Sequence, residues 1–131
     1  MKNSVYRHEG EELDVSVQPF YVNQQSKPAE NFFLYGYTVK IKNKSEKTVK
    51  LISRHWTIMN GKGKKTEVDG RGVVGQTPVL KPGETFEYTS ACPLDTPTGN
   101  MRGRYTLTDE EKHIFKVRVP LFFFKPPIQT H

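Results

Sequence analysis

Phe33-Leu34-Tyr35-Gly36-Tyr37-Thr38-Val39-Lys40-Ile41-Lys42-Asn43 is the stretch that decides the fold. Its odd positions Phe33, Tyr35, Tyr37, Val39 and Ile41 form one apolar row, with Thr38, Lys40 and Lys42 opposite, the alternation of a strand with one buried and one wet face. The same period returns in Leu13 to Val22, through Leu13, Val15, Val17 and Tyr21, and in Ile114 to Phe123, through Phe115, Val117, Val119, Leu121 and Phe123. Thr85 to Ser90 and Met101 to Thr108 supply further strands. Pro19 and Pro120 lack the N–H that a ladder needs, which places their strands at an edge or bends them.

Turn signals separate these runs at Ser45-Glu46-Lys47, Asn60-Gly61-Lys62-Gly63, Lys81-Pro82-Gly83-Glu84 and Thr96-Pro97-Thr98-Gly99-Asn100. Thr108-Asp109-Glu110-Glu111 fits a helix capping box, but β-branched alternation resumes too soon for a helix, so a hairpin loop is expected there. Together these signals predict an all-β fold, an antiparallel β-sandwich of about seven strands. Thr48 to Met59 changes parity part-way: Val49 and Leu51 are odd, whereas Ile52, Trp56 and Ile58 are even. One face cannot bury both sets, so a β-bulge is expected near Ser53, Arg54 and His55.

At 131 residues the chain has the length of a single domain. The core is expected at about 14–126, flanked by short flexible segments at 1–10 and 127–131. Aromatic residues make up 11% of the chain, too many for a disordered one, and imply an aromatic-rich core. The net charge is +6, and the excess is local: between Val39 and Lys65 nine basic residues face only Glu46, a net +8. This pattern draws anionic partners, or it simply keeps a strand surface soluble. Cys92 is the single cysteine, so neither an internal disulfide nor a cysteine-based zinc site can form. The first residues, Met1 to His8, have no apolar stretch of the signal-peptide kind, and the run Leu121 to Phe124 is far shorter than a membrane span. A soluble, cytoplasmic protein without membrane association is expected.

Gly70-Arg71-Gly72-Val73-Val74-Gly75 matches the G-x-G-x-x-G spacing of dinucleotide-binding turns. That mechanism needs a βαβ unit, and here Val73 and Val74 disfavour a helix start and Pro78 follows closely. A weaker mechanism needs no helix: consecutive backbone N–H groups beside Arg71 can hold phosphate or pyrophosphate. Ser53 and His55 next to Trp56 invite a hydrolytic reading, but no orienting carboxylate or nucleophile turn lies nearby. His8, His55, His113 and His131 show no paired metal-ligand spacing, and Asp109, Glu110 and Glu111 are contiguous rather than alternating, so no metal site and no cofactor is expected. Basic and aromatic residues interleave from Tyr35 to Trp56, yet parity turns the rings inward and the lysines outward, which disfavours nucleic acid.

The chain resembles the ApaG family. The resemblance rests on Val17-Gln18-Pro19-Phe20-Tyr21 with Gln25-Ser26, on Ser53-Arg54-His55-Trp56, and on Gly70 to Gly75 followed by Pro78. It continues through Pro82-Gly83, Tyr88-Thr89-Ser90, Leu94 with Thr96-Pro97, Gly99, Met101, Gly103, Tyr105 and Pro120. It implies a fibronectin type III or immunoglobulin-like sandwich, found alone in bacteria and as a module in eukaryotic F-box and polymerase-interacting proteins. It also implies a genetic link to cobalt and magnesium resistance or efflux, and gene neighbourhood with a dinucleoside tetraphosphate hydrolase. The chain departs from the family pattern at Gln76, Met59 and Ala91, where relatives commonly carry Glu, Asp and Gly. The first two changes remove carboxylate ligands for magnesium.

These observations point to a non-enzymatic binding module. Its expected recognition surface comprises Arg54, His55, Gly70, Arg71, Gly72 and Gly75, with Lys40 and Lys42 adding positive field. The expected partner is a protein, with a phosphate-containing small molecule at the glycine loop as the alternative. The edges near Pro19 and Pro120, with Leu121 to Phe124, are where a weak homodimer would form.

Overall fold

The computed structural model describes residues 4–10 and 12–127. As far as Val119, alternating burial appears where the sequence pattern places it. In β3 (Phe33–Asn43) the odd positions from Phe33 to Ile41 are buried, while Lys40 and Lys42 are exposed. Two antiparallel sheets face each other. The first runs β1 (Tyr6–Glu9), β2 (Leu13–Tyr21), β3 and β7 (Thr85–Leu94). The second runs β5 (Lys65–Arg71), β4 (Val49–Asn60), β8 (Gly99–Asp109) and β9 (Ile114–Phe124), and β6 (Val79–Leu80) also pairs with β4. The connection from β2 to β3 carries two single 3-10 turns, Asn23–Gln25 and Pro28–Glu30.

Among the described residues the sandwich has nine strands rather than about seven; β1 and β6 are pairings of four and two residues, too short to carry a readable alternation. Residues 6–9, expected within a loose leading segment, pair with Asp14 to Val17. Residues 128–131 of the expected tail lie outside the described residues. The Thr108 to Glu111 stretch does form a hairpin connection, with Lys112 N–H donating to Asp109 O at 3.0 Å. Pro19 does not make β2 an edge strand, because β1 flanks it; but β1 reaches only as far as Val17, so Pro19 sits where that side of β2 has no partner strand. Pro120 is on the edge strand β9, at a bulge where Val119 and Phe122 pair with Gly103 and Met101. A missing N–H removes no ladder bond at either place. The bulge at Pro120 reverses the expected row: Leu121 and Phe123 are exposed, and Phe122 and Phe124 are buried instead.

Between the sheets lies a core of aromatic and branched side chains. Trp56 packs edge-on against Tyr37, Tyr105 and Phe122, with ring centroids 5.7, 6.0 and 6.2 Å away. Its ring lies over Gly103 on the paired strand, where a Cβ would meet indole carbon Cε3 at 2.6 Å.

Candidate functional site

The parity change in β4 is a bulge at Ile52: Leu51 pairs with Leu107 and Ser53 with Thr106, leaving Ile52 as the extra residue. On the other side of β4, β5 and β6 run one after the other, and the chain leaves the sheet between them at this same point. Gly72 N–H donates to Ile52 O at 2.7 Å, and Leu51 N–H to Pro78 O at 3.0 Å. Between these anchors Val73 and Gln76 exchange both backbone bonds, at 2.8 and 2.9 Å, around Val74 and Gly75. Both central residues have positive φ, 43° and 78°, as a two-residue type I′ turn requires. Val73 plugs the core at 0% exposure, while Val74 stands 48% exposed at the tip. Gly72 has φ 62°, and a Cβ there would collide with the Gln76 carbonyl. The glycine motif is therefore a hairpin, and the N–H groups of Gly72, Val73 and Gln76 are engaged by carbonyl oxygens within the fold.

Arg54 holds this hairpin. Its Nη1 donates to Arg71 O at 3.1 Å and to Gly72 O at 2.8 Å. The guanidinium lies across Gly70, where a Cβ would come within 2.6 Å of it. Past the bulge Arg54 shares the inward row with Trp56, and its charge acts on Tyr37, Tyr88 and Tyr105. Tyr88 and Tyr105 share a buried hydroxyl–hydroxyl bond of 2.5 Å. Burial pushes both phenols well above the ordinary tyrosine range, so they stay protonated; their mutual bond lowers Tyr88 and raises Tyr105, and the Arg54 charge draws both down.

His55 points the opposite way, so the structure does not gather Arg54 and His55 into one site. Successive side chains of a strand alternate faces, and these two are adjacent. On the outer face His55 Nδ1 lies 2.5 Å from Asp69 Oδ1, and Nε2 lies 3.5 Å from Glu67 Oε1. A carboxylate only accepts, so Nδ1 carries the hydrogen toward Asp69. Arg54, Gly70, Arg71 and Gly72 do come together, with Gly75 at the hairpin tip and the Arg71 side chain exposed. Lys40 and Lys42 do not join them: they face out from the first sheet, where Lys40 Nζ lies 3.7 Å from Glu87. The +8 segment thus divides between two sheets. Among the described residues no group of three or more His, Cys, Asp or Glu is placed to hold a metal ion, and no helix is long and apolar enough to cross a membrane.

The sequence profile of the ApaG domain matches residues 23–109. The chain belongs to the ApaG family. A Protein ApaG from Paramagnetospirillum magneticum is 44% identical over 94% of this chain and 95% of its own length. One from Pectobacterium carotovorum is 44% identical over 89% and 94%. A crystal structure of a Bordetella pertussis protein carrying the name ApaA superposes with a TM-score of 0.87 at 48% identity, covering 89% of this chain and 95% of that one.

Within this ApaG fold Gln76 and Met59 fall on different segments: Gln76 gives its backbone to the hairpin turn, and Met59 is half-buried near the end of β4. Sequence reasoning missed the basic residues that the ApaG sandwich does gather. Arg102, Arg104, Lys116 and Arg118 all face outward on β8 and β9, with Arg104 directly opposite Arg118. The signal was the even parity of all four, visible only once the two strands are paired.

Proposed function

We propose that the chain is a non-enzymatic interaction module that grips a protein partner through the β5–β6 hairpin, with Val74 as the apolar tip and Arg71 beside it. The observation that carries this is the conformation of Val74. A β-branched residue at positive φ is a backbone outlier costing about 1–2 kcal/mol, and such strain persists only where its surroundings over-determine it. Arg54, the paired bonds of Val73 and Gln76, and Gly72 supply that constraint. The sandwich itself gains nothing from an exposed valine there, since Asn or Gly suits the turn better. An apolar anchor on a rigid tip, next to a guanidinium, is the composition of a protein-binding hot spot.

The geometry favours a protein over a small anion at this hairpin, because three of its N–H groups already donate internally. The link to cobalt and magnesium implied by the family would then act through the partner. The test is affinity capture with the wild type, Val74→Asp, Arg71→Ala and, on the other sheet, Lys40→Ala as baits. A stoichiometric partner held by the wild type and Lys40→Ala but released by the two hairpin variants supports the proposal. Equal retention by all four removes it. Movement of the Gly70 to Gly75 amide signals on titrating pyrophosphate, weakened by Arg71→Ala, favours the small-anion alternative instead.

A further inference from the structure

We infer that the outer face of β8 and β9 is a second binding surface, and that its ligand is an extended acidic peptide segment. Arg102, Arg104, Lys116 and Arg118 are exposed there, and Arg104 and Arg118 occupy directly paired positions. Like charges placed opposite each other across a ladder repel. Three lysines elsewhere are ion-paired: Lys44 with Asp14 at 2.9 Å, Lys47 with Glu111 at 2.7 Å, and Lys40 with Glu87. None of the four appears in an ion pair among the described residues, and the acids of the same face, Glu67 and Asp69, lie on β5 against His55. The cluster is therefore a concentration of positive charge that the fold leaves open to an outside anion.

Spacing selects the anion. Same-face neighbours along a strand, such as Arg102 and Arg104, or Lys116 and Arg118, lie about 6.8 Å apart, and the alternate side chains of an extended peptide repeat at that same distance. Carboxylates at alternate positions thus meet successive cations, and a guanidinium takes a carboxylate in a two-bond fork. The groove on this face, about 560 Å³, also reaches Leu121 beyond the Pro120 bulge, which gives the segment's apolar residues a contact. A single-stranded nucleic acid would need a row of exposed rings for its bases. On this face Phe123 is the exposed aromatic, and Lys125 Nζ already lies 5.6 Å from its ring centroid.

This inference deepens the protein-partner reading by naming the partner's chemistry, and rests on it, but it has its own residues and its own test. The probe is a fluorescein-labelled peptide of alternating aspartate and valine, followed by anisotropy at low and raised salt. The wild type should bind saturably and more weakly as salt screens the face. Arg104→Gln with Arg118→Gln should weaken binding about tenfold or more, whereas Lys40→Gln with Lys42→Gln, which removes the same charge from the other sheet, should not. No binding by the wild type, or equal loss in both double variants, overturns the inference. So does tighter binding of tripolyphosphate or oligouridylate than of the peptide at equal ionic strength. Val74→Asp should bind this peptide as the wild type does while losing the captured partner, so failure of one surface is distinguishable from failure of the other.

Discussion

Replacing Arg54 by alanine removes a side chain that reaches from β4 across Gly70 to two carbonyl oxygens of the hairpin, those of Arg71 and Gly72. Both bonds are charge-assisted, and Gly72 is buried, so its carbonyl loses a partner that water replaces poorly. A bond of this type contributes about 1.5–3 kcal/mol when the site is half-buried. The two share one donor nitrogen, so the pair should cost less than twice that, about 2–4 kcal/mol in all. For a domain of this length that is a fall in melting temperature of roughly 6–16 °C. Urea unfolding should show a lower midpoint at unchanged slope, since the surface exposed on unfolding is nearly the same. Amide exchange should quicken at Gly72 and Val73 and remain slow at Val39 and Ile41 in the first sheet. Arg54→Lys should recover only part of the loss, because the lysine side chain is one bond shorter than the reach to Nη1 and lacks the flat guanidinium that lies across Gly70. A change below about 0.5 kcal/mol, the scale of an ordinary surface substitution, or unaltered exchange at Gly72, would show that Arg54 does not hold the hairpin.

Trp56→Ala should destabilise by about 3–5 kcal/mol, measured by urea unfolding, because it empties a buried site between three aromatic rings; a near-neutral result would put the ring at the surface. Cys92, whose thiol burial pushes up to about 11, should resist a thiol-specific reagent at pH 8 in the native protein and react on unfolding. Rapid native labelling would contradict that burial. Asp109 is raised by burial but carried below the ordinary carboxylate range by bonds from the His113 and Glu111 N–H groups and from the His113 ring. A depressed carboxyl stabilises the fold above its unfolded value and loses that contribution as pH falls through its folded value. Asp109→Asn should therefore narrow the stability difference between pH 6 and pH 3, and an unchanged pH profile would refute the assignment.

Parity gave β3 correctly because burial on one face is a strong, local constraint: every odd residue from Phe33 to Ile41 lies inside. In β9 it held only to Val119, because the bulge at Pro120 reverses the row and buries Phe122 and Phe124 in place of Leu121 and Phe123. It also placed the β4 bulge within a residue, since Leu51 and Trp56 cannot share a face without an insertion between them. It failed for β1 and β6, whose pairings are too short to impose a pattern. Charge was legible only as a quantity. Lys40 and Lys50 are near in sequence, but β3 and β4 belong to opposite sheets, so the basic window has no counterpart in space. Arg104 and Arg118 are far apart in sequence and become neighbours only through the β8–β9 ladder.

One inserted residue accounts for much of the candidate site. Were Ile52 an ordinary rung of the ladder rather than a bulge, β4 would continue its odd inward row, which would turn His55 into the core and Arg54 to solvent. The bulge reverses that assignment: it sends Trp56 and Arg54 inward and leaves His55 facing Asp69. The same residue supplies the carbonyl that receives Gly72 N–H, so the hairpin leaves the sheet where the ladder is already interrupted. Arg54, turned inward by the bulge, then lies within reach of the hairpin's carbonyls, and Gly70 gives it room. The spacing of the glycine motif thus answers to the packing of an arginine and to a tight turn. The side chain that this arrangement leaves over, needed neither by the turn nor by the core, is Val74.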